Sequence, residues 1–352
     1  MTYRDGWRAI NLDMPDRIPH VEFDADMHWA LVRRVTGLSV NAHSPVETKN
    51  KARESFVSVW NYDLLPANLI GHETLSAKRT YMGHAEYEDA GLDFDDHIDC
   101  PFTDVEEVYA FDPWETYGEP DRNRLVDRYN AHYHGLQKRF PETVATTGVY
   151  ITLFSGMIAI FGWELLLTAG GLYPDRFGEV VNRYAGWMMH YYDAVAESDA
   201  PVIWSHDDIV WAAGPVFRPA WYRKYIFPNY EKYYAPLLAA GKKVIFVSDG
   251  NYTPFVDDIA AVGASGFFFE PLTDLAYVVE NYGQSHIIIG NADTRILLTG
   301  TREAIKREVE RCLNLGRPCP GYFMGVTNMI PANTPIENAL YYNEVYQSLS
   351  RR

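Results

Sequence analysis

Five short apolar runs rich in β-branched and aromatic residues recur between residues 200 and 326: APVIWS (200–205), KVIFVS (243–248), SGFFFE (265–270), HIIIGN (286–291) and GYFMGV (321–326). They are continuously apolar instead of alternating, which is the pattern of strands buried on both faces. Amphipathic stretches with helical spacing lie between them. Strands of this kind alternating with helices make a parallel sheet covered on its outer face. Two of the helices carry their own punctuation. Over 300–316, Thr301 stands as N-cap, Ile305, Val309 and Cys312 share one stripe, and Gly316 marks the C-terminal end. Over 333–349, Thr334-Pro335-Ile336-Glu337 reads as a capping box with proline at the first helical position.

The first half is less regular. Residues 17–23 (RIPHVEF) predict a strand, 63–69 (DLLPANL) a weaker one and 146–154 (TTGVYITLF) a stronger one, which brings the total to eight. Eight alternating units over this length predict an α/β fold of the (β/α)8 TIM barrel type, a fold of about 250 residues that accepts insertions. An open doubly wound sheet is the competing architecture, but no GxGxxG turn follows the first strand. Residues 75–145 are acidic and rich in Pro, Tyr and Asp, and read as an irregular insertion over one end of the barrel. No repeat and no Gly/Ser linker divides the chain, so 1–352 reads as a single domain.

Composition narrows the partners. A net charge of −16 opposes binding to nucleic acid through phosphates. It fits a soluble cytoplasmic protein with small-molecule or protein partners. Three cysteines without a CxxC pair argue against a disulfide framework. No uninterrupted apolar run reaches the roughly 20 residues that span a bilayer. The nearest, residues 150–167, contains Glu164 and glycines and reads as a buried strand, loop and helix. The N-terminal residues lack the apolar stretch of a signal peptide.

The strands share an ending. In a barrel, side chains at the C-terminal ends of strands face the active site. Just past the first strand stand Glu22, Asp24, Asp26 and His28. Past the fourth stand His206, Asp207 and Asp208, and past the fifth Asp249 and Asn251. Past the sixth stands Glu270, past the seventh Asn291 and Asp293, and past the eighth Asn328 and Asn333. A single Asp at such a place is more often a helix cap. Repeated around a ring, these carboxylates would repel one another unless a cation or a proton intervened. The mouth is therefore expected to hold a metal ion, a cationic ligand or a proton-shuttling acid. His206, Asp249 and Glu270 form a donor set suited to zinc, though their spacing matches no ligand signature. The same reading makes Asp249, Glu270 and Asp208 the acid/base candidates. It has Asn251 orient substrate, Asn291, Asp293 and Asn328 line the mouth, and Glu22 close the ring.

PDRIP near the start, SHDDIVWAAGPVFRPAWYRKYIFPNYEKYY (205–234), KKVIFVSDGN (242–251), IIIGNADTRILLTGT (287–301) and NMIPANTPIENA (328–339) resemble the uroporphyrinogen decarboxylase superfamily. The resemblance covers the second half and the first 25 residues, and the fold it implies is again a (β/α)8 barrel. It implies one of two activities: cofactor-free decarboxylation of a tetrapyrrole, or cobalamin-dependent methyl transfer. The decarboxylases open with arginines that grip the substrate's carboxylates. Here RIPHVEFDADMHWALVRR sets Glu22, Asp24 and Asp26 where arginines are wanted. The thiol methyltransferases bind zinc through His-x-Cys on the fifth strand and a Cys after the eighth. The matching positions here are Val247, Asp249 and Asn328, so that site is not carried over.

What the resemblance leaves is similarity to the methyltransferase components of O-demethylase systems. These demethylate a small methylated donor, such as a methoxylated aromatic, and pass the methyl group to a corrinoid (cobalamin) on a partner protein. Members of the superfamily often pair, which makes a homodimer an expectation. The alternatives are a decarboxylase of another acid and a non-catalytic barrel that binds a small ligand.

Overall fold

The computed structural model describes residues 2–80, 87–88, 91–92, 99–326 and 329–352. Its regular parallel strands are β1 (Leu64–Leu65), β2 (Val144–Ala145), β3 (Thr147–Val149), β4 (Val202–His206), β5 (Lys243–Ser248), β6 (Gly266–Phe269), β7 (Ile287–Ile289) and β8 (Tyr322–Phe323). β1 pairs with β2, and β3 through β8 form a six-stranded parallel sheet in chain order. β2 and β3 are halves of one extended segment interrupted at Thr146, whose hydroxyl donates to the Leu65 carbonyl at 2.9 Å.

Residues 17–23 are extended but form bridges instead of a full strand. They carry the pairing between the two sheets. Val21 N–H donates to Met324 and Met324 N–H to Pro19, at 3.0 and 2.9 Å. On the other flank, Asp63 N–H donates to His20 and Val144 N–H to Asp63, at 2.8 and 3.0 Å. Parallel bridges join His20 to Met324 and Ile70 to Val149. Backbone contacts thus run through eight extended segments in sequence order and return to the first, the order of a (β/α)8 barrel. At the seam the backbones approach so closely that a Cβ on Gly325 would lie 1.8 Å from the Val21 carbonyl oxygen.

Side chains of a strand alternate between faces, and here the two faces have two cores. Val21, Leu64, Val144, Val202, Trp204, Ile245, Val247, Phe268, Ile287, Ile289 and Phe323 fill the barrel. Helix α1 (Thr2–Ile10) closes its lower end, with Ala9 and Ile10 packed into the same cluster. The alternate residues face the helices outside. These include α2 (Arg122–Arg139), α3 (Phe154–Leu172), α4 (Pro174–Glu197), α5 (Phe227–Ala239), α6 (Val256–Ala261), α7 (Leu275–Tyr282), α8 (Arg302–Gly316) and α9 (Ile336–Leu349).

Three expectations need correction. Helix α2 lies within the stretch expected to be irregular, and it belongs to the outer layer, packed against α4 and β2. Residues 150–167 hold no strand. Helix α3 begins at Phe154 and bends at Gly162 (φ 68°); it is long and apolar enough to cross a membrane, yet Phe154 to Gly162 are buried without a break. The capping box at Thr334 does not form either. Pro335 occupies the cap position of α9 with no side-chain cap, and the Thr334 carbonyl receives His28 Nε2 at 3.0 Å. By contrast, Thr301 caps α8 by accepting the Ala304 N–H at 3.3 Å.

Candidate active site

The inward rows of the barrel point upward into chemistry. Two residues beyond Trp204 is His206, two beyond Val247 is Asp249, and two beyond Phe268 is Glu270. The period of two therefore carries these three side chains onto the inner face at the C-terminal ends of β4, β5 and β6.

The turn after β5 holds them in register. Gly250 has φ 80°, a left-handed conformation that costs a residue with a Cβ. A Cβ there would also lie 2.8 Å from the Trp211 carbonyl oxygen. In this turn Gly250 N–H donates to Glu270 Oε2 at 2.7 Å, and Asn251 N–H to the Trp211 carbonyl at 3.1 Å. Asp208 is the hub. Its Oδ1 accepts the Asp249 N–H at 2.9 Å and lies 3.2 Å from His206 Nε2, while its own N–H donates to Ser155 Oγ at 2.7 Å.

Burial pushes the Asp249 carboxyl well above the usual carboxylate range, and the charges of Asp208 and Glu270 push it further. The arrangement therefore favours a protonated acid beside two further carboxyl groups. Such an acid can hand a proton to a leaving oxygen or to a carbon. The ring of Tyr150 packs on that of His206 at 4.4 Å, and His72 packs edge-on to Tyr150 at 5.3 Å. Burial, and then the charge of Arg79, lowers the His72 pKa. The sequence does not single out His72 and Tyr150. Tyr150 stands one residue past β3, inside a run that reads as continuing strand.

His206, Asp208, Asp249 and Glu270 are thus brought together, while other expected site residues have different work. Glu22 is buried. It joins first to last segment: Oε1 lies 2.7 Å from His20 Nε2 and accepts the Tyr342 hydroxyl at 2.8 Å, and Oε2 accepts the Val326 N–H at 2.8 Å. Asn291 donates to the Thr273 and Glu270 carbonyls at 3.1 and 3.3 Å and accepts from Arg311 at 2.9 Å, so its amide is fully occupied by protein. Asp293 caps the helix Thr294–Thr299 and pairs with Arg295. Asn251 accepts the Thr253 N–H at 3.2 Å in a local turn. Asn328 lies outside the described residues. Asp207 is also structural. Its carboxylate takes the Phe154 and Ser155 N–H groups at the start of α3, and the Tyr230 hydroxyl at 2.5 Å.

Among the described residues no three His, Cys, Asp or Glu side chains stand close enough together to hold a metal. Glu270 Oε2 and His206 Nε2 are instead turned to Gly250 and Asp208.

The model of the family described as uroporphyrinogen decarboxylase matches residues 97–348. Uroporphyrinogen decarboxylase of Thermus thermophilus is 29% identical over 163 residues, 46% of this chain and 46% of that protein. The Pelobacter propionicus protein of the same name is 25% identical over 178 residues, 51% of each. The chain spans about half the length of the curated relatives it matches. Among solved structures, a methyltransferase from Methanosarcina mazei superposes with a TM-score of 0.67 at 16% identity, over 99% of this chain and 98% of that one. That likeness concerns the fold. With a family match over more than half of its length, on a ring of parallel strands whose C-terminal ends gather the acids, the chain belongs to the uroporphyrinogen decarboxylase family.

Proposed function

We propose that the protein is a methyltransferase that removes a methyl group from a small methylated compound, such as a methoxylated aromatic. The acceptor is a reduced corrinoid carried by a partner protein. The observation that carries this reading is the grouping of Asp249 with Asp208 and Glu270, which together with burial raises the Asp249 carboxyl above the usual range, at a mouth flanked by aromatic rings. A methyl ether does not release its methyl group to a nucleophile unless the departing oxygen is neutralised. Asp249 supplies a proton to that oxygen as the carbon–oxygen bond breaks and the methyl group leaves to the acceptor, so the alcohol departs neutral. Burial, and then the charges of Asp208 and Glu270, favour the protonated form of Asp249. The rings of Tyr150 and His206, set edge to face at 4.4 Å, give the mouth an aromatic flank.

Decarboxylation is the second reading, and the names of the curated relatives favour it. The same acid could protonate the carbon that loses CO2. The charge of the mouth weighs against a polycarboxylate substrate. Arg53 is paired with Asp26 at 2.6 Å and Arg295 with Asp293 at 2.7 Å. Like charges at the mouth oppose an anionic ligand.

The test mixes the protein with cob(I)alamin, free and protein-bound, and a panel of methyl ethers and methylamines. Growth of methylcobalamin absorbance with one donor supports methyl transfer. No transfer from any donor, together with CO2 release from uroporphyrinogen or a simpler acid, replaces it with the second reading.

A further inference from the structure

We infer that Ser155 is a positioning residue: its hydroxyl fixes Asp208, and through Asp208 the Asp249 acid, in the geometry that delivers the proton. This rests on the reading of Asp249 as the proton donor. Serine near the start of a helix is favoured because its hydroxyl can accept one of that helix's own first N–H groups. Ser155 takes a different partner. The cap position of α3 is Leu153, which has no side-chain acceptor, and the Phe154 and Ser155 N–H groups go to the carboxylate of Asp207. The Ser155 hydroxyl is thereby left to accept the N–H of Asp208, 53 residues along the chain, at 2.7 Å.

Three successive N–H groups at the end of β4 are each held by a different acceptor. Asp207 donates to the Val247 carbonyl at 2.9 Å, Asp208 to Ser155 Oγ, and Ile209 to Ser248 Oγ at 3.3 Å. The bond to Ser155 fastens the residue whose carboxylate meets the acid. Asp208 Oδ1 accepts the Asp249 N–H at 2.9 Å and lies 3.2 Å from His206 Nε2. Ser155 is buried, so removing its oxygen takes from the Asp208 N–H an acceptor that bulk water does not replace. The peptide between Asp207 and Asp208 then turns to satisfy that N–H elsewhere. Because Oδ1 hangs from the same residue, the turn draws it off the Asp249 N–H. Asp207 braces the Ser155 backbone from the other side and is itself tied by the Tyr230 hydroxyl, which touches neither Ser155 Oγ nor Asp208.

Three variants separate positioning from bracing. Ser155→Ala removes the acceptor, Ser155→Thr keeps a hydroxyl, and Tyr230→Phe weakens the brace at Asp207 while leaving the Ser155–Asp208 bond in place. Exchange of the Asp249 amide hydrogen is read by NMR in the resting protein, kcat and KM in the corrinoid assay, and stability by thermal melting. Ser155→Ala should quicken Asp249 exchange by about tenfold or more. It should lower kcat roughly 10–100-fold with KM within about threefold of wild type. Ser155→Thr should recover most of both losses. Tyr230→Phe should melt at a lower temperature with exchange and kcat close to wild type. Should Ser155→Ala fail to fold, Ser155→Cys, whose sulfur is a weak acceptor, takes its place with the same expectations. Unchanged kcat in the Ala variant, or an equal loss of kcat in Tyr230→Phe, overturns the role of Ser155 while methyl transfer stands. If wild type transfers no methyl group from any donor, the methyl-transfer reading fails. Unchanged Asp249 exchange in Ser155→Ala then overturns this inference as well, and quickened exchange leaves the link from Ser155 to Asp249 standing.

Discussion

Asp249 and Asp24 are both carboxyls held above their ordinary range, and their variants should behave differently. Asp249→Asn keeps the shape and removes the transferable proton. Methyl transfer should fall by roughly 10²–10⁴-fold with little change in substrate affinity, read as kcat against KM in the corrinoid assay. Asp24 should show itself in stability. Its folded pKa of about 6 lies above the unfolded value, so its neutral form stabilises the protein fully below about pH 4. That contribution disappears as the pH rises through about 6. The groups that face it are Asp26, Arg53, His206 and Tyr62. Urea unfolding at pH 4 and pH 7 should show wild type losing on the order of 1–2 kcal/mol relative to Asp24→Asn between those values. An unchanged difference would mean that Asp24 is not displaced upward. At this scale the sequence is an incomplete guide. Asp249, Glu270, Glu22 and Asn291 look alike as polar residues at strand ends. What separates them is whether Tyr342 or Arg311, far along the chain, has already taken their hydrogen bonds.

The turn Asp249-Gly250-Asn251 shows how an element converts sequence into chemistry. Gly250→Ala places a Cβ against Trp211 and forces a left-handed alanine. The expected cost is about 1–3 kcal/mol by denaturant midpoint. Activity should fall beyond what the lost stability explains, because the residue 250 N–H that Glu270 accepts is displaced and Asp249 moves with it. Strands of this barrel were legible because both of their faces are buried, which leaves continuous apolar runs; β5 occupies the very residues of KVIFVS. Helix α2 was not legible. Of its residues only Leu125 and Tyr129 are buried, and Arg, Lys, Asn, His and Gln are interspersed among the rest, which blurs its apolar stripe. The first segment was over-read as a strand, because its pairing is divided between isolated bridges such as His20 to Met324 on one flank and a backbone hydrogen bond from Asp63, just before β1, on the other.

The whole molecule is held closed by polar ties as well as by its two apolar cores. Tyr342 donates to buried Glu22 across the seam, while Arg17 reaches Asp63 at 2.5 Å and the Tyr346 hydroxyl at 2.7 Å. Tyr342→Phe leaves Glu22 short of one donor. It should lower unfolding free energy by about 1–3 kcal/mol, with kcat in the corrinoid assay within twofold of wild type. A larger loss of kcat would mean that the seam also shapes the mouth. The ring of eight segments and its acidic rim could be expected from strand count and strand endings. The ties could not, because each depends on partners brought together only by closure.

That closure has a consequence in time. Glu22 and Val326 are 304 residues apart, yet they are hydrogen-bonded neighbours. At synthesis rates of roughly 5–20 residues per second, about 15–60 s separate their emergence from a ribosome. Through that interval the edge at residues 17–23 has no β8 to pair with, and its unpaired N–H and C=O groups are open to pairing with another chain.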